Sequence, residues 1–327
     1  MKKILTFLFL LSSIYFAQKT LNNEPLANTY SIVAIDTLTG EMGVAVQSHW
    51  YSVGTIVSWG EAGIGVIATQ SFVNPSFGPR GLALLKQGLK ADQVLKLMIE
   101  ADEGREVRQL AILDSHGNIA THTGKKCIDD AGHIVGKDYS VQANMMLNDK
   151  VWKAMSEAFE NSSGPLEERL MLTLEAAEKT GGDIRGKQSA ALLVVKPKST
   201  NQVWLDRKVD IRVDDNPEPL KELRRILKVH QAYDHMNKGD LAIEHNDMDL
   251  AMKEYSTAET MFPDNEEMKY WHAVTLANIG KVNESLPLFK EVFKKNKNWV
   301  TLTPRLIKSE LLTVSKNDME LIMNQGK

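Results

Sequence analysis

The chain holds one cysteine, Cys127, in 327 residues. No intrachain disulfide can form, so the fold is held without covalent crosslinks even where export would permit them. A lone cysteine is more often a small buried hydrophobe than a nucleophile, and a catalytic Cys127 is the minor alternative. Charge of one sign is scarce as well. Lys and Arg number 39 against 42 Asp and Glu, net −3, with no long run of either sign. General nucleic-acid binding needs a concentrated basic face, and this balance argues against it. HExxH and CxxC are missing, and His116 and His122 have no carboxylate or third ligand at a matching spacing. No metal is expected, and no cofactor.

Long apolar runs are absent after the first residues. Lys2 and Lys3, the apolar stretch Ile4 to Phe16 and Tyr15-Phe16-Ala17 before Gln18 read as a cleavable signal peptide over 1–17. The run falls short of the roughly 20 residues of a membrane span. An uncleaved anchor helix is the alternative. No cysteine follows closely, which excludes a lipoprotein anchor. The expectation is a periplasmic or secreted protein, free of the membrane after cleavage, with 18–28 as a leader or propeptide.

The chain as a whole has ordinary globular composition, 43% apolar and 25% charged, and a length suited to two domains. From Thr29 to Asp214 strands and helices alternate. The runs 29–36 and 41–49 read as one hairpin, and 53–59 with 63–69 as a second. Helices are expected over 80–87, 91–101, 149–160 and 165–179, and further strands over 109–114, 118–123, 139–143, 188–196 and 209–213. Runs such as Ile64-Gly65-Val66-Ile67-Ala68 are apolar on both faces, so both faces must be covered. Two stacked sheets between two helical layers, a four-layer αββα sandwich of α+β class over 29–214, would do this.

A linker over 215–220 follows, rich in Asp, Asn and Pro. Residues 221–327 are helical, polar and repetitive. Gly239, Asn246, Ala251, Tyr255 and Ala258 recur 34 positions later as Ala273, Gly280, Ser285, Phe289 and Val292. That period and Pro263 fit an all-α tetratricopeptide-like domain, and an unrelated helical bundle is the alternative. About two repeats are visible, fewer than the three or so such arrays need alone.

Four segments, 29–54, 65–88, 123–146 and 181–195 (TYSIVAIDTLTGEMGVAVQSHWYSVG, GVIATQSFVNPSFGPRGLALLKQG, TGKKCIDDAGHIVGKDYSVQANMM and GGDIRGKQSAALLVV), resemble in order the bacterial family called domain of unknown function 1028. The resemblance implies a fold similar to the N-terminal-nucleophile (Ntn) hydrolases, with Thr29, which opens the first strand, as nucleophile. A freed Thr29 would carry its own base, because an α-amine titrates near ~8. Many relatives look as if they begin Met-Thr. Here Gln18 to Asn28 stand in front, so a second cut at Asn28–Thr29 is required. Otherwise Thr29 is a β-branched residue suited to a strand start.

Other polar groups are candidates for the same mouth. Ser48 and His49 end the second strand, and His49 is a candidate general base or a half-buried structural residue. Gln70, Asn74 and Arg80 follow the fourth strand. Arg80 could clamp a carboxylate or simply begin a helix. In Gly181-Gly182-Asp183-Ile184-Arg185-Gly186, glycines let backbone approach a ligand beside an Asp183–Arg185 pair, unless the pair only ties the loop. The spacing is not that of a phosphate loop. Gln188 enters the next strand. Asn144 stands where the family usually has Gly-Asn, which makes it a candidate oxyanion donor.

Two functions are therefore expected as alternatives. One is an exported Ntn-type amidohydrolase acting on a small amide or peptide-like bond, with Thr29, His49 and Asn144 catalytic and the other polar groups binding substrate. The other is a non-catalytic Ntn-fold module whose helical repeats hold a protein partner. A homo-oligomer remains open.

Overall fold

A computed structural model describes residues 25–327. The signal peptide expected over 1–17 and most of the 18–28 leader lie outside the described residues. The chain forms two compact units, divided after Arg224.

In the first unit two antiparallel sheets are built from eleven strands among the described residues. The first sheet runs β5 (Gly65–Phe72), β6 (Arg108–Asp114) and β7 (Ile119–Thr123). The free edge of β5 is shared by β4 (Ser58–Glu61), paired at residues 65–68, and by β1 (Leu26–Ala27), paired at 71–72. The second sheet has the order β11 (Arg207–Val213), β10 (Ser189–Val195), β3 (Met42–Ser48), β2 (Thr29–Ile35), β9 (Tyr139–Ala143), β8 (Gly132–Val135). Helices α2 (Phe77–Lys86) and α3 (Ala91–Glu100) pack on the first sheet. Beyond α1 (Gly54–Val57), α4 (Val151–Glu160) and α5 (Leu166–Lys179) pack on the second. A short α6 (Val203–Asp206) precedes β11.

The strands alternate as a pleat requires. Val33, Ile35, Val44 and Val46 face Val66, Ala68, Ala111 and Leu113 in a fully dry core between the sheets. The opposite faces serve the helices: Ile67, Leu110 and Ile112 pack under Phe77, Leu82, Val94 and Met98. Residues buried on both faces of a strand explain why these runs show no polar alternation.

Several elements depart from the expected ones, α6 among them. Residues 54–57 make a turn of helix instead of strand, and Gly54 there packs so close to Ala191 that an added Cβ would lie 2.5 Å from the Ala191 Cβ. The stretch 124–138 contains β8, and Leu26–Ala27 form β1 ahead of the expected first strand.

The second unit is helical. Helix α7 (Pro219–Glu244) crosses the division point and is followed by α8 (Met248–Met261), α9 (Glu266–Asn278), α10 (Val282–Lys295), α11 (Asn298–Leu302) and α12 (Lys316–Asn324). Positions 34 apart behave alike. Ala251, Tyr255 and Ala258 are buried in α8, as are Ser285, Phe289 and Val292 in α10. The turns before them pass through left-handed residues, Asn246 (φ 59°) and Gly280 (φ 80°), which tolerate that region. Among the described residues no helix is long and apolar enough to cross a membrane.

Gly78 lies inside α2, where alanine normally stabilises a helix by up to about 1 kcal/mol. Here an added Cβ would sit 2.2 Å from the Trp59 ring. Gly78→Ala should therefore lower stability by about 1–3 kcal/mol in urea unfolding, the reverse of the helix-propensity sign.

Candidate active site

The core between the sheets changes character along its length. On β2, Val33 gives way to Ser31 and Thr29; on β5, Val66 and Ala68 give way to Gln70; on β6, Leu113 and Ala111 give way to Gln109. All of these polar residues are buried. Gln142 and Asn144 enter the same end from β9 and the residue after it.

Buried carboxamides cost free energy unless hydrogen-bonded, and these largely are. Gln70 Nε2 donates to Gln109 Oε1 (2.6 Å) and to the Thr29 carbonyl (3.2 Å), while its Oε1 accepts from Ser31 Oγ (2.6 Å). Gln109 Nε2 donates to Thr123 Oγ1 (2.9 Å) and to the Ala143 carbonyl (2.9 Å). Gln142 Nε2 donates to Ser31 Oγ (2.6 Å). Asn144 offers its backbone N–H (3.1 Å) and Nδ2 (3.4 Å) to the Thr29 carbonyl, and Nδ2 also meets Gln109 Oε1 (2.9 Å).

At Asn28 the chain steps from the first sheet, where β1 pairs with β5, to the second, where β2 begins. The Asn28 carbonyl is gripped at this crossing by two donors. Ser48 Oγ, opposite Thr29 in the β2–β3 register, lies 2.5 Å away, and Arg185 Nη2 lies 2.8 Å away. Thr29 Oγ1 donates to the Ala27 carbonyl at 2.7 Å. The peptide group Asn28–Thr29 thus has its carbonyl polarised by a hydroxyl and a guanidinium, with the threonine hydroxyl on the adjoining residue.

Arg185 is brought there by its loop. Gly182 (φ 56°) and Gly186 (φ 105°) take left-handed turns that side chains resist. Leu147 N donates to Gly182 O (2.9 Å), Met146 bridges Asp183, and Ile184 N donates to Met145 O (3.2 Å), tying the loop to the segment after β9. Asp183, with its side chain fully buried, accepts from Arg185 Nε (3.0 Å) and Nη2 (2.7 Å) and from the His49 backbone N–H (3.2 Å). A charge-assisted pair of this kind fixes the guanidinium fork toward Asn28.

Four polar atoms here have no hydrogen-bond partner in the chain: Asn28 Oδ1 and Nδ2, Asn144 Oδ1 and Ser71 Oγ. Ser71, opposite Ala27, and Met145 also hold left-handed backbones (φ 72° and 59°). Strain and orphaned polar atoms cluster at functional sites more than elsewhere.

The structure gathers Thr29, Ser48, Gln70, Asn144, Asp183 and Arg185 at one place and sets the other four candidates apart. The side chain of His49 is exposed, and only its backbone N–H joins the cluster. Asn74 Oδ1 accepts from the Ser76 backbone N–H and hydroxyl just before α2. Arg80 is exposed on α2, and Gln188 Nε2 points to Asp215 Oδ1 (3.1 Å). Asn28, Ser31, Gln109 and Gln142 were missed. For Ser31 and Gln109 the signal was a serine or glutamine two residues from an apolar neighbour on the same strand face; Gln142, flanked there by Ser140 and Asn144, and Asn28, between β1 and β2, had none. Cys127 is buried and donates to the Arg108 carbonyl, and burial pushes its thiol up, which suits a packing residue rather than a nucleophile. Among the described residues no group of three or more His, Cys, Asp and Glu is gathered as a metal would require.

Thr29 is fully buried. A surface cavity of about 630 Å³ is lined by Thr123, Cys127, Asp130 and Trp152 among others, and Thr123 Oγ1 accepts from Gln109 Nε2.

The model of a family of unknown function, DUF1028, matches residues 29–223, more than half of the chain. The chain belongs to the DUF1028 family. Among solved structures it is similar to the DUF1028 protein SPO2555 from Silicibacter pomeroyi, at 32% identity and a TM-score of 0.56 over 62% of this chain and 85% of that one. Anbu (ancestral beta-subunit) from Yersinia bercovieri is a weaker likeness, at 11% identity and a TM-score of 0.31 over 60% of this chain and 92% of its own. No curated protein matches. The DUF1028 match begins at Thr29, the residue whose preceding carbonyl is gripped.

Two predictions follow from how polar groups are satisfied in this DUF1028 domain. Asn28→Leu replaces the two orphaned atoms with methyl groups in the same branched shape and should raise the unfolding free energy from urea titrations by about 1 kcal/mol. Gln109→Leu strips partners from Gln70, Asn144 and Thr123 and should cost at least about 2 kcal/mol in the same measurement.

Acid supplies another test. Burial alone would raise the Asp102 carboxyl, but the Arg108 guanidinium, the Gly104 N–H and the charge of Arg105 more than reverse it and hold it low. Arg108 Nη1 in turn donates to the Phe72 carbonyl (2.6 Å) on β5. A lowered folded-state pKa stabilises above the unfolded value, roughly 4, and the benefit fades as pH falls through the folded value. The stability gap between wild type and Asp102→Asn should therefore narrow below about pH 4 in denaturation titrations.

Proposed function

We propose that this protein is an Ntn-type amidohydrolase acting on a small amide or peptide-like bond, latent until Asn28–Thr29 is cut. On this reading the two sheets with α2–α3 outside one and α4–α5 outside the other form the αββα sandwich of that class. The helices after Arg225 form a tetratricopeptide-like array for a protein partner, and the protein is exported. The observation that carries the catalytic reading is the double grip of Ser48 Oγ and Arg185 Nη2 on the Asn28 carbonyl beside the Thr29 hydroxyl.

The chemistry needs few parts. Thr29 Oγ1 turns from the Ala27 carbonyl and attacks the Asn28 carbonyl carbon. Ser48 and Arg185 donate to the oxygen as it gains charge, which is where preorganised donors contribute most. The bond from the Asn28 carbonyl carbon to the Thr29 nitrogen breaks, that nitrogen takes up the hydroxyl proton, and Asn28 is left as an ester on the Thr29 hydroxyl oxygen. Water hydrolyses the ester, giving an Asn28 carboxylate and a free Thr29 amine. That amine then serves as base for the same hydroxyl against an external amide, with Ser48, Arg185 and the Asn144 N–H near the reacting carbonyl.

A second reading is favoured by one fact: Thr29 is buried and its nitrogen is an amide. A chain never cut at Asn28–Thr29 would be a non-catalytic Ntn-fold module serving its helical repeats.

One experiment separates them. The full chain, incubated and followed by intact mass, should acquire an N-terminus at Thr29. Thr29→Ala should abolish the cut. Ser48→Ala and Arg185→Ala should each slow it by about 10²- to 10³-fold. A chain that stays whole, or that is cut equally well with Thr29→Ala, overturns the Thr29 mechanism.

A further inference from the structure

Residues 25–28 lie where the acyl half of a substrate would have to lie. We infer that the site accepts an extended peptide whose acyl segment replaces this leader as a strand against β5. Its residue before the scissile bond is of asparagine or leucine size, and the one before that is small. This rests on the reading of Thr29 as nucleophile.

The leader is held mainly by its backbone. Leu26 and Ala27 pair antiparallel with Phe72 and Ser71, and Val73 N–H donates to the Pro25 carbonyl at 2.9 Å. These bonds ignore side-chain identity, as in peptide recognition by strand addition. β4 occupies the same edge of β5 at residues 65–68, so only the stretch from Ser71 to Val73 is left to a peptide. Departure of the leader bares that stretch, and an unpaired sheet edge is a template for another extended chain.

The side-chain positions set the selectivity. Ala27 is fully buried in the dry core between the sheets, alongside Val46, Val53 and Val73. A larger residue there would have to displace packed neighbours. Leu26 is only half-buried and leaves room for variety. Asn28 is fully buried, and both polar atoms of its side chain lack partners. The space therefore has the size of an asparagine side chain without groups that reward its amide. An apolar residue of that size should do at least as well, and a charged one poorly, because its desolvation would go uncompensated.

The reaction is net hydrolysis. Thr29 Oγ1 bonds to the acyl carbon, its proton passes through the Thr29 amine to the departing nitrogen, and the C–N bond breaks. Water then cleaves the ester and the peptide acid is released. That acid faces Arg185, so it should bind more tightly than the uncharged amide and inhibit.

The test uses the full chain after it has cut itself, with the Thr29 N-terminus verified by intact mass. Substrates are aminomethylcoumarin amides of acetyl-Pro-Leu-Ala-Leu, acetyl-Pro-Leu-Ala-Asn, acetyl-Pro-Leu-Ala-Lys, acetyl-Pro-Leu-Phe-Leu and single acetyl-Leu. The first two should exceed each of the others by about tenfold or more in kcat/KM, with the Leu peptide equal to or above the Asn peptide. Free acetyl-Pro-Leu-Ala-Leu acid should inhibit competitively. Equal rates on single acetyl-Leu and the tetrapeptides would overturn the extended site while leaving Thr29 chemistry intact. A cut chain that neither hydrolyses the tetrapeptides nor binds the acid also overturns it. A chain that never cuts itself removes the Thr29 reading and this proposal with it.

Discussion

The chain changes sheets in one residue, and the rest of the site follows from burying that step. β1 belongs to one sheet and β2 to the other, with Asn28 alone between them. A backbone crossing in a dry core has peptide groups that neither sheet satisfies, and such groups must find partners. Four separate segments supply them: Ser48 from β3, Gln70 from β5, Asn144 after β9 and Arg185 from the glycine loop. Each is itself fixed by something else. Asp183 aligns Arg185, Gln109 aligns Gln70 and Asn144, and the left-handed glycines let the loop come close. The result is a peptide bond held more firmly on its carbonyl side than ordinary chain connection requires.

The same logic explains where the bonding stops. Apart from His272 Nε2 in the second unit, the buried side-chain atoms without partners among the described residues are those of Asn28, Asn144 and Ser71. All three border the crossing, and Ser71 and Met145 add left-handed backbone there. A fold optimised only for stability would have closed these gaps, since each orphaned group costs about 1–3 kcal/mol.

Some of this was legible in the sequence. Thr29, Ser48, Gln70, Asn144, Asp183 and Arg185 stand at strand ends or in a glycine loop, and such positions converge when strands stack. Asn74 and Arg80 follow Gln70 closely, but the chain leaves β5 for the outer helices, so one satisfies the start of α2 and the other meets solvent. His49 lies one residue beyond Ser48, and in a pleated chain one residue is enough to reverse the direction of a side chain. Gln109 and Gln142 were hidden for another reason. In strands covered on both faces, polar alternation vanishes, and period-2 patterns no longer say which face a glutamine takes. β1, with two residues, is too short to carry any period.

The polar layer around Thr29 is made of carboxamides and hydroxyls. Gln70, Gln109, Gln142, Asn144, Ser31 and Ser48 neither gain nor lose protons in any ordinary medium, and the adjoining Asp183–Arg185 pair carries no net charge. The carboxamides and hydroxyls of this layer therefore hold their bonding without taking up or releasing a proton. Cutting Asn28–Thr29 would change that at a stroke. The freed α-amine would be the one group among them titrating near ~8. One scission would turn an inert interior into an acid–base site, with the switch written in covalent structure rather than in the surrounding pH.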